Sequence, residues 1–155
     1  MQKIVPCLWV EKDAGVVAEY YAGIFKDAKV KNVQSGQKGP GGSFSTAEVE
    51  LCGQEFQILA AGPLFKFTEA VSFVVKCETQ EEMDYYYEHL SSVPEAEQCG
   101  WIKDKYGLSW QIVPAAIYRL LSDPDQAKVA RVSQALYTMK RLDLAALERA
   151  YTGGE

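Results

Sequence analysis

The chain repeats itself once, and nothing else in the sequence limits the fold so strongly, because each copy must build the same supersecondary unit. Tyr20, Tyr21 and Ile24 stand three, four and seven positions after Val17, and Met83, Tyr86, Tyr87 and Leu90 repeat that spacing 66 residues later. Each set is one apolar stripe of a helix. Asp13 is placed to cap the first helix, while Thr79-Gln80-Glu81-Glu82 reads as a capping box for the second. Each helix follows an apolar strand, Ile4 to Val10 in one copy and Ala70 to Cys77 in the other.

A second match lies further along. Gly53-Gln54-Glu55-Phe56-Gln57-Ile58-Leu59 returns as Gly107-Leu108-Ser109-Trp110-Gln111-Ile112-Val113, now at an offset of 54, so the second copy is shorter by 12 residues. The difference falls where the first copy carries Gln34 to Gly42, a glycine-rich stretch expected to be a flexible hairpin loop, and loops absorb insertions best. Lys29 to Val33, Ser43 to Leu51 and Gln98 to Lys103 read as further strands. After Pro114 three helices are expected: a short one with Ile117, Leu120 and Leu121, one started by Asp123-Pro124 with Val129, Val132, Leu136 and Met139 on a face, and one capped by Asp143 with Leu144 and Leu147. Lys128, Arg131, Lys140 and Arg149 are expected on their solvated sides.

At 155 residues the chain suits one globular domain and can fold without a disulfide or structural metal. Its formal charge of -5 opposes the counterion release that drives binding to nucleic acid, and equally opposes an anionic membrane surface. No apolar run approaches the roughly 18 residues of a membrane span, and the opening residues run straight into a strand pattern rather than a signal segment. A cytoplasmic protein is expected, with no nucleic-acid and no membrane partner. Cys7, Cys52, Cys77 and Cys99 stand singly, and His89 is the one histidine, so a zinc site is not expected. The cysteines are expected to be buried small hydrophobes.

Two strand-helix-strand units of this kind, together with Cys99-Gly100-Trp101-Ile102-Lys103-Asp104-Lys105-Tyr106-Gly107-Leu108-Ser109-Trp110-Gln111-Ile112-Val113-Pro114 and Gly62-Pro63-Leu64-Phe65-Lys66-Phe67, closely resemble the PhnB-like family. That family, labelled 3-demethylubiquinone-9 3-methyltransferase-like, belongs to the glyoxalase, bleomycin resistance protein and dioxygenase group, the vicinal oxygen chelate superfamily. The likeness extends through Ser122-Asp123-Pro124-Asp125 and Met139-Lys140-Arg141-Leu142-Asp143. It implies an α+β fold in which two βαβββ modules, residues 1–62 and 70–114, form a curved mixed sheet around a hollow, with residues 115–155 as a helical tail. It also implies a homodimer. The methyltransferase label gains nothing from the residues. A nucleotide-type cofactor needs a glycine-rich turn between strand and helix, whereas residues 36–42 lead into a strand and lack a P-loop ending.

Strand alternation then sorts the side chains. Phe56, Ile58, Trp110 and Ile112 are expected under the helices, as are Leu8, Val10, Phe73 and Val75; Gln57, Leu59, Ser109, Gln111 and Val113 are expected on the opposite side with Val5, Cys7, Trp9, Ser72, Val74 and Lys76. Metal-dependent members of the superfamily take ligands from the closing and opening strands. Gln57 and Gln111 match the closing positions, but Val5 and Ser72, or Ala70 in the other register, are poor donors for a divalent ion. Neither a metal nor a cofactor is expected. His89 is expected on the surface, Asp104 in a structural turn with Gly107 supplying positive φ, and Glu48 and Glu50 as exposed strand residues, so no nucleophile-base pair can be assembled. The candidate site is therefore a ligand-binding one: Gln57, Gln111, Ser72, Trp9, Cys7, Ser109 and Phe65, suited to a small organic molecule held by amide hydrogen bonds and stacking on Trp9. The rival readings are a hollow filled by its own side chains, a metal-dependent lyase or dioxygenase of the same fold, and an interaction module that recruits a partner protein through its C-terminal helices.

Overall fold

The computed structural model describes residues 2–154, which form two compact units, one ending at Lys66 and the other beginning at Phe67. The first unit contains β1 (Cys7–Val10), α1 (Ala14–Ile24), β2 (Ala28–Gly39), β3 (Gly42–Leu51) and β4 (Gln54–Ala60). Its sheet has the order β1-β4-β3-β2, with β1 parallel to β4 and the other pairs antiparallel. The second unit contains β5 (Ser72–Cys77), α2 (Gln80–Leu90), a 3₁₀ turn at Pro94–Ala96, β6 (Trp101–Lys103), β7 (Ser109–Pro114) and the helices α3 (Ile117–Leu121), α4 (Gln126–Tyr137) and α5 (Leu144–Thr152). Here the order is β5-β7-β6, again with the opening strand parallel to the closing one. The fold is α+β. Its strands fall into two mixed sheets, one in each unit, and the second carries three strands where the first carries four.

The repeated helix is built as its sequence dictates. The Asp13 carboxylate accepts the Gly15 and Val16 amides at 3.0 and 3.3 Å, while the Ser45 hydroxyl accepts the Ala14 amide at 2.9 Å. In α2 the Thr79 hydroxyl accepts the Glu82 amide at 3.2 Å, and the Glu82 carboxylate turns back to the Glu78 amide at 2.8 Å. These bonds satisfy amides that a helix cannot pair internally. Val17, Tyr21 and Ile24 are buried in one helix, and Met83, Tyr86, Tyr87 and Leu90 in the other. Leu8, Val10, Phe56 and Ile58 form the buried side of the first sheet, as Trp110, Ile112 and Ile102 do in the second. Each such side chain contributes about 1.5–3 kcal/mol of burial.

Four differences from the sequence pattern have physical causes. β1 starts at Cys7, not Ile4, because Pro6 has no amide proton; its carbonyl accepts the Gln57 amide at 2.9 Å. Gln34 to Gly42 is not a flexible loop: β2 runs on to Gly39, Lys38 pairs with Ser43, and only Pro40-Gly41 turns. Polar side chains on both faces of this arm hide it from any apolar alternation. In the second copy, Pro94 opens a 3₁₀ turn where the βαβββ module implied by the resemblance calls for a third strand, and the strand from Gln98 shrinks to Trp101–Lys103. There Cys99 and Gly100 take φ of 51° and 86°, closing a two-residue turn in which Gln98 and Trp101 exchange both backbone bonds. Cys52-Gly53 makes the same kind of turn between β3 and β4, with φ of 49° and 82°. Two successive positive φ values suit the twist of a hairpin.

The third helix group is integral to the second unit. The Cys99 and Gly100 amides donate to the carbonyls of Met139 and Lys140, both at 2.8 Å. The Gln80 carboxamide bridges the Leu142 carbonyl and the Leu144 amide at 3.0 and 2.9 Å, and Leu142 is buried. Arg141 lies 4.5 Å over the Tyr87 ring and reaches Asp84 and Glu88. Asp143 caps α5 as expected, but α4 is capped by Asp125, while Asp123 accepts the Tyr151 hydroxyl at 2.5 Å. Arg131 is not a solvated charge: its guanidinium donates to the Ala150 and Tyr151 carbonyls, both at 2.9 Å, at the end of α5. Among the described residues no helix is long and apolar enough to cross a membrane.

The two turn glycines provide a controlled comparison. A Cβ at Gly53 would meet open space, whereas one at Gly100 would stand 2.8 Å from the Ile112 carbonyl oxygen and 3.2 Å from Leu142. Gly53→Ala should cost about 1–2 kcal/mol from the left-handed conformation alone. Gly100→Ala should cost about 3 kcal/mol or more, since strain and collision add. Urea unfolding measures both, and equal losses would refute the assigned collision.

Candidate functional site

Pairing register defines what each sheet presents on the face away from its helix. In the first sheet one cross-strand row runs Cys7, Gln57, Glu48, Lys31, through the pairs Cys7 with Gln57, Gln57 with Glu48, and Glu48 with Lys31. The next row on one side holds Trp9, Leu59, Thr46 and Gln34, and on the other Glu55, Glu50 and Lys29. Neighbours in a row are about 4.8 Å apart and successive rows about 6.7 Å. In the second sheet one row runs Val74, Gln111, Trp101, and the adjacent one Ser72, Ser109, Lys103.

The two repeated glutamines are not equivalent. The Gln111 amide donates to the Ser72 hydroxyl at 2.9 Å, and both residues are half-buried. Gln57 is exposed, and among the described residues its carboxamide has no hydrogen-bond partner. It lines a hollow of about 370 Å³ with Glu48, Glu50, Glu55, Phe56, Val5 and Lys31. Lys31 bonds the Glu50 carboxylate at 3.1 Å, which raises its pKa, and Asn32 donates to Glu48 at 2.8 Å. Trp9 is anchored at its polar end, the indole N–H donating to the Gly62 carbonyl at 2.9 Å. The Phe65 ring meets it edge-on, with centroids 4.9 Å apart and planes at 77°.

Residues 2–113 match the model of the 3-demethylubiquinone-9 3-methyltransferase family. The chain belongs to this PhnB-like family. A family structure, the PhnB protein from Bacillus cereus, provisionally given the same methyltransferase designation, is 30% identical, with 74% of this chain aligned to 100% of that one at a TM-score of 0.61. Protein PA1353 from Pseudomonas aeruginosa shares the fold at 14% identity and a TM-score of 0.54, over 73% of this chain and 96% of its own. No protein of curated function matches. The family name is not evidence of the activity in this chain. Its glycine-rich segment is the tip of the β2–β3 hairpin, not a turn between a strand and a helix N-terminus, so it does not fit a nucleotide-type methyl donor.

A divalent ion fares no better with the donors present. Gln57 lies beside Cys7, and Gln111 beside Val74, on the opening strands. Among the described residues no group of three His, Cys, Asp or Glu side chains could hold a metal. A stable site for a divalent transition ion takes at least three good donors.

The remaining candidates sort as follows. Cys7, Trp9, Gln57, Phe65, Ser72 and Gln111 all keep accessible surface, but Ser109, expected to line the hollow, is only 1% exposed. It lies between Ser72 and Lys103 in its row, and Lys103 is held by an ion pair with Glu69. Val113 is likewise buried. Glu48 and Glu50 are not merely exposed strand residues, since they share the face and the hollow of Gln57. The alternation Thr46, Glu48, Glu50 was the signal for them, once Gln57 was assigned to that face. Trp101 was missed because the turn before it hid its register with Gln111. Asp104 has the structural role expected. Its carboxylate, 1% exposed, accepts the Tyr106 and Leu108 amides at 2.9 and 3.1 Å and the Trp110 indole N–H at 2.9 Å. His89 is exposed, with a ring nitrogen 2.7 Å from the Tyr85 carbonyl.

Burial of the cysteines is uneven, against expectation. Cys77 is fully buried, Cys99 half-buried, and Cys7 and Cys52 exposed. Cys52 heads the turn at the end of the two central strands, and Cys7 lies on the far face of β1. Burial, with Glu82 and Glu78 nearby, pushes the Cys77 thiol up to about 12, and partial desolvation also raises Cys7. Iodoacetamide at neutral pH should therefore label Cys52 and spare Cys77 in the folded protein, as peptide mass mapping will show. Labelling of Cys77 before unfolding would contradict the packing. Asp104→Asn should destabilise by about 2–3 kcal/mol, because one carboxamide cannot accept from both the backbone amides and the Trp110 indole. Unchanged denaturant midpoint would remove Asp104 from its structural role.

Proposed function

We propose that this family member binds a small organic molecule without a metal ion, on the sheet faces turned away from the helices. The observation that carries the reading is the Gln57 carboxamide, exposed and without a hydrogen-bond partner among the described residues, in a half-polar hollow one row from an anchored tryptophan. Exposed amides offer one donor pair and one acceptor, a set that orients a neutral or weakly polar ligand. Cys7, Trp9 and Phe65 supply apolar and aromatic surface in the same unit, and Ser72 with Gln111 offers a second polar pair in the other. The resemblance to the glyoxalase and dioxygenase superfamily supports a ligand on this side of the sheet, while the donor set argues against the metal-assisted chemistry of its lyases and dioxygenases. A recruiting role for the C-terminal helices has less support, since Leu142, Val132, Leu147 and the Gln80 bridge commit them to their own unit.

A thermal-shift screen against metabolites and divalent ions tests the proposal, because a compound that binds only the folded chain raises Tm by mass action. Gln57→Leu should leave the unliganded Tm within about 1 °C while weakening the hit at least tenfold, a loss of about 1.4 kcal/mol. Gln111→Leu should weaken it less. A stoichiometric divalent ion retained through purification, or a hit indifferent to both substitutions, would overturn the reading.

A further inference from the structure

The unequal state of the two glutamines, together with the aromatic pair one row from Gln57, says what class of molecule the first unit selects. This rests on the binding role proposed above and narrows it. We propose that the first unit takes a planar aromatic molecule bearing a non-anionic, hydrogen-bonding head group, its ring against the Trp9–Phe65 pair and its head at the Gln57 carboxamide.

Three observations converge. Trp9 is half-buried on the far face of β1, and its N–H is already used by the Gly62 carbonyl, so what it presents to a ligand is ring surface rather than a donor. Phe65, 60% exposed, stands edge-on to that ring. Such a corner accepts a third ring in offset or edge-to-face contact, arrangements that favour aromatic over saturated groups. Second, the pairs Cys7 with Gln57 and Trp9 with Leu59 set the amide one row from the ring, about 6.7 Å along the strands. A ligand spanning both must carry its polar head three or four bonds from its ring.

Third, the hollow has a sign. Glu48, Glu50 and Glu55 line it against Lys31, and Lys31 is held by Glu50. Charges of one sign in a concave site repel like-charged ligands and admit neutral or cationic ones. A carboxylate head at Gln57 would stand beside Glu48, its neighbour in the row. A carboxamide or ammonium head would instead donate into that field while the Gln57 carbonyl accepts from it.

The experiment uses the intact chain and four probes of matched length: 3-phenylpropionamide, 3-phenylpropylamine, 3-phenylpropionate and 3-cyclohexylpropionamide. Binding is read from the Trp9 indole N–H and Gln57 side-chain resonances in proton–nitrogen NMR titrations. The phenyl amide and amine should shift these signals saturably, with Kd on the order of millimolar for fragments of this size. The carboxylate and the cyclohexyl amide should bind at least fivefold more weakly. Gln57→Leu, at an exposed position, should weaken the phenyl amide, Glu48→Gln should narrow the difference between amide and carboxylate, and Trp9→Leu, followed at the Leu59 amide, should abolish the difference between phenyl and cyclohexyl. Equal binding of the carboxylate or the cyclohexyl probe, or no saturable shift with the phenyl amide and amine, overturns the inference. A thermal-shift hit that is aliphatic or anionic and still depends on Gln57 would sink this inference alone and leave the binding role standing.

Discussion

The parallel pairing of the opening strand with the closing strand, β1 with β4 and β5 with β7, is the constraint from which the rest follows. Side chains alternate with a period of two, so one register sends Leu8, Val10, Phe56 and Ile58 under α1 and leaves Cys7, Trp9 and Gln57 on the other side. A slip of one residue would exchange the sets and expose the apolar ones. The helix stripe of Val17, Tyr21 and Ile24 has nothing else of comparable size in its unit to bury against. Hydrophobic burial at the back of the sheet thus fixes the chemistry at the front.

Duplication gave both units that pairing but not the same front. In the first unit the central row is Cys7, Gln57, Glu48, Lys31, polar beyond the cysteine, and the amide is unpaired among the described residues. In the second it is Val74, Gln111, Trp101, and the amide is spent on Ser72. A glutamine already bonded within the protein must give up that bond to serve a ligand, so its net contribution is small. The proposed recognition chemistry therefore rests with the first copy, while the second is ordered internally around Asp104, where one buried carboxylate closes a turn and fixes Trp110.

Two stretches far apart in the chain turn out to be halves of one junction. Cys99-Gly100-Trp101 turns with positive φ so that its amides can meet the Met139 and Lys140 carbonyls, and Gly100 lets Leu142 and the Ile112 carbonyl come close. Arg141 then lies on Tyr87 of the repeated helix and Gln80 holds the backbone on either side of Asp143. The family resemblance in these segments is therefore a resemblance in packing, and says nothing of itself about a reaction.

Periodicity alone determined the repeat, the helix stripes, the caps at Asp13, Thr79 and Asp143, and the face on which Gln57 and Gln111 lie, because these depend on spacings along one strand or one helix turn. Asp104 was legible too, since the Tyr106 and Leu108 amides and the Trp110 indole that its carboxylate accepts from all lie within six residues of it. Partners distant in sequence were not. Whether Gln111 is bound depends on Ser72 in a strand 39 residues away, whether Ser109 is covered depends on what flanks it across the sheet, and whether Arg131 is solvated depends on where α5 ends. The strand hidden in Gln34 to Gly39 needed β3 as its template, having no apolar alternation of its own. Local geometry is written in local spacing; the state of each polar group is decided by which neighbour the folded chain brings within about 3 Å.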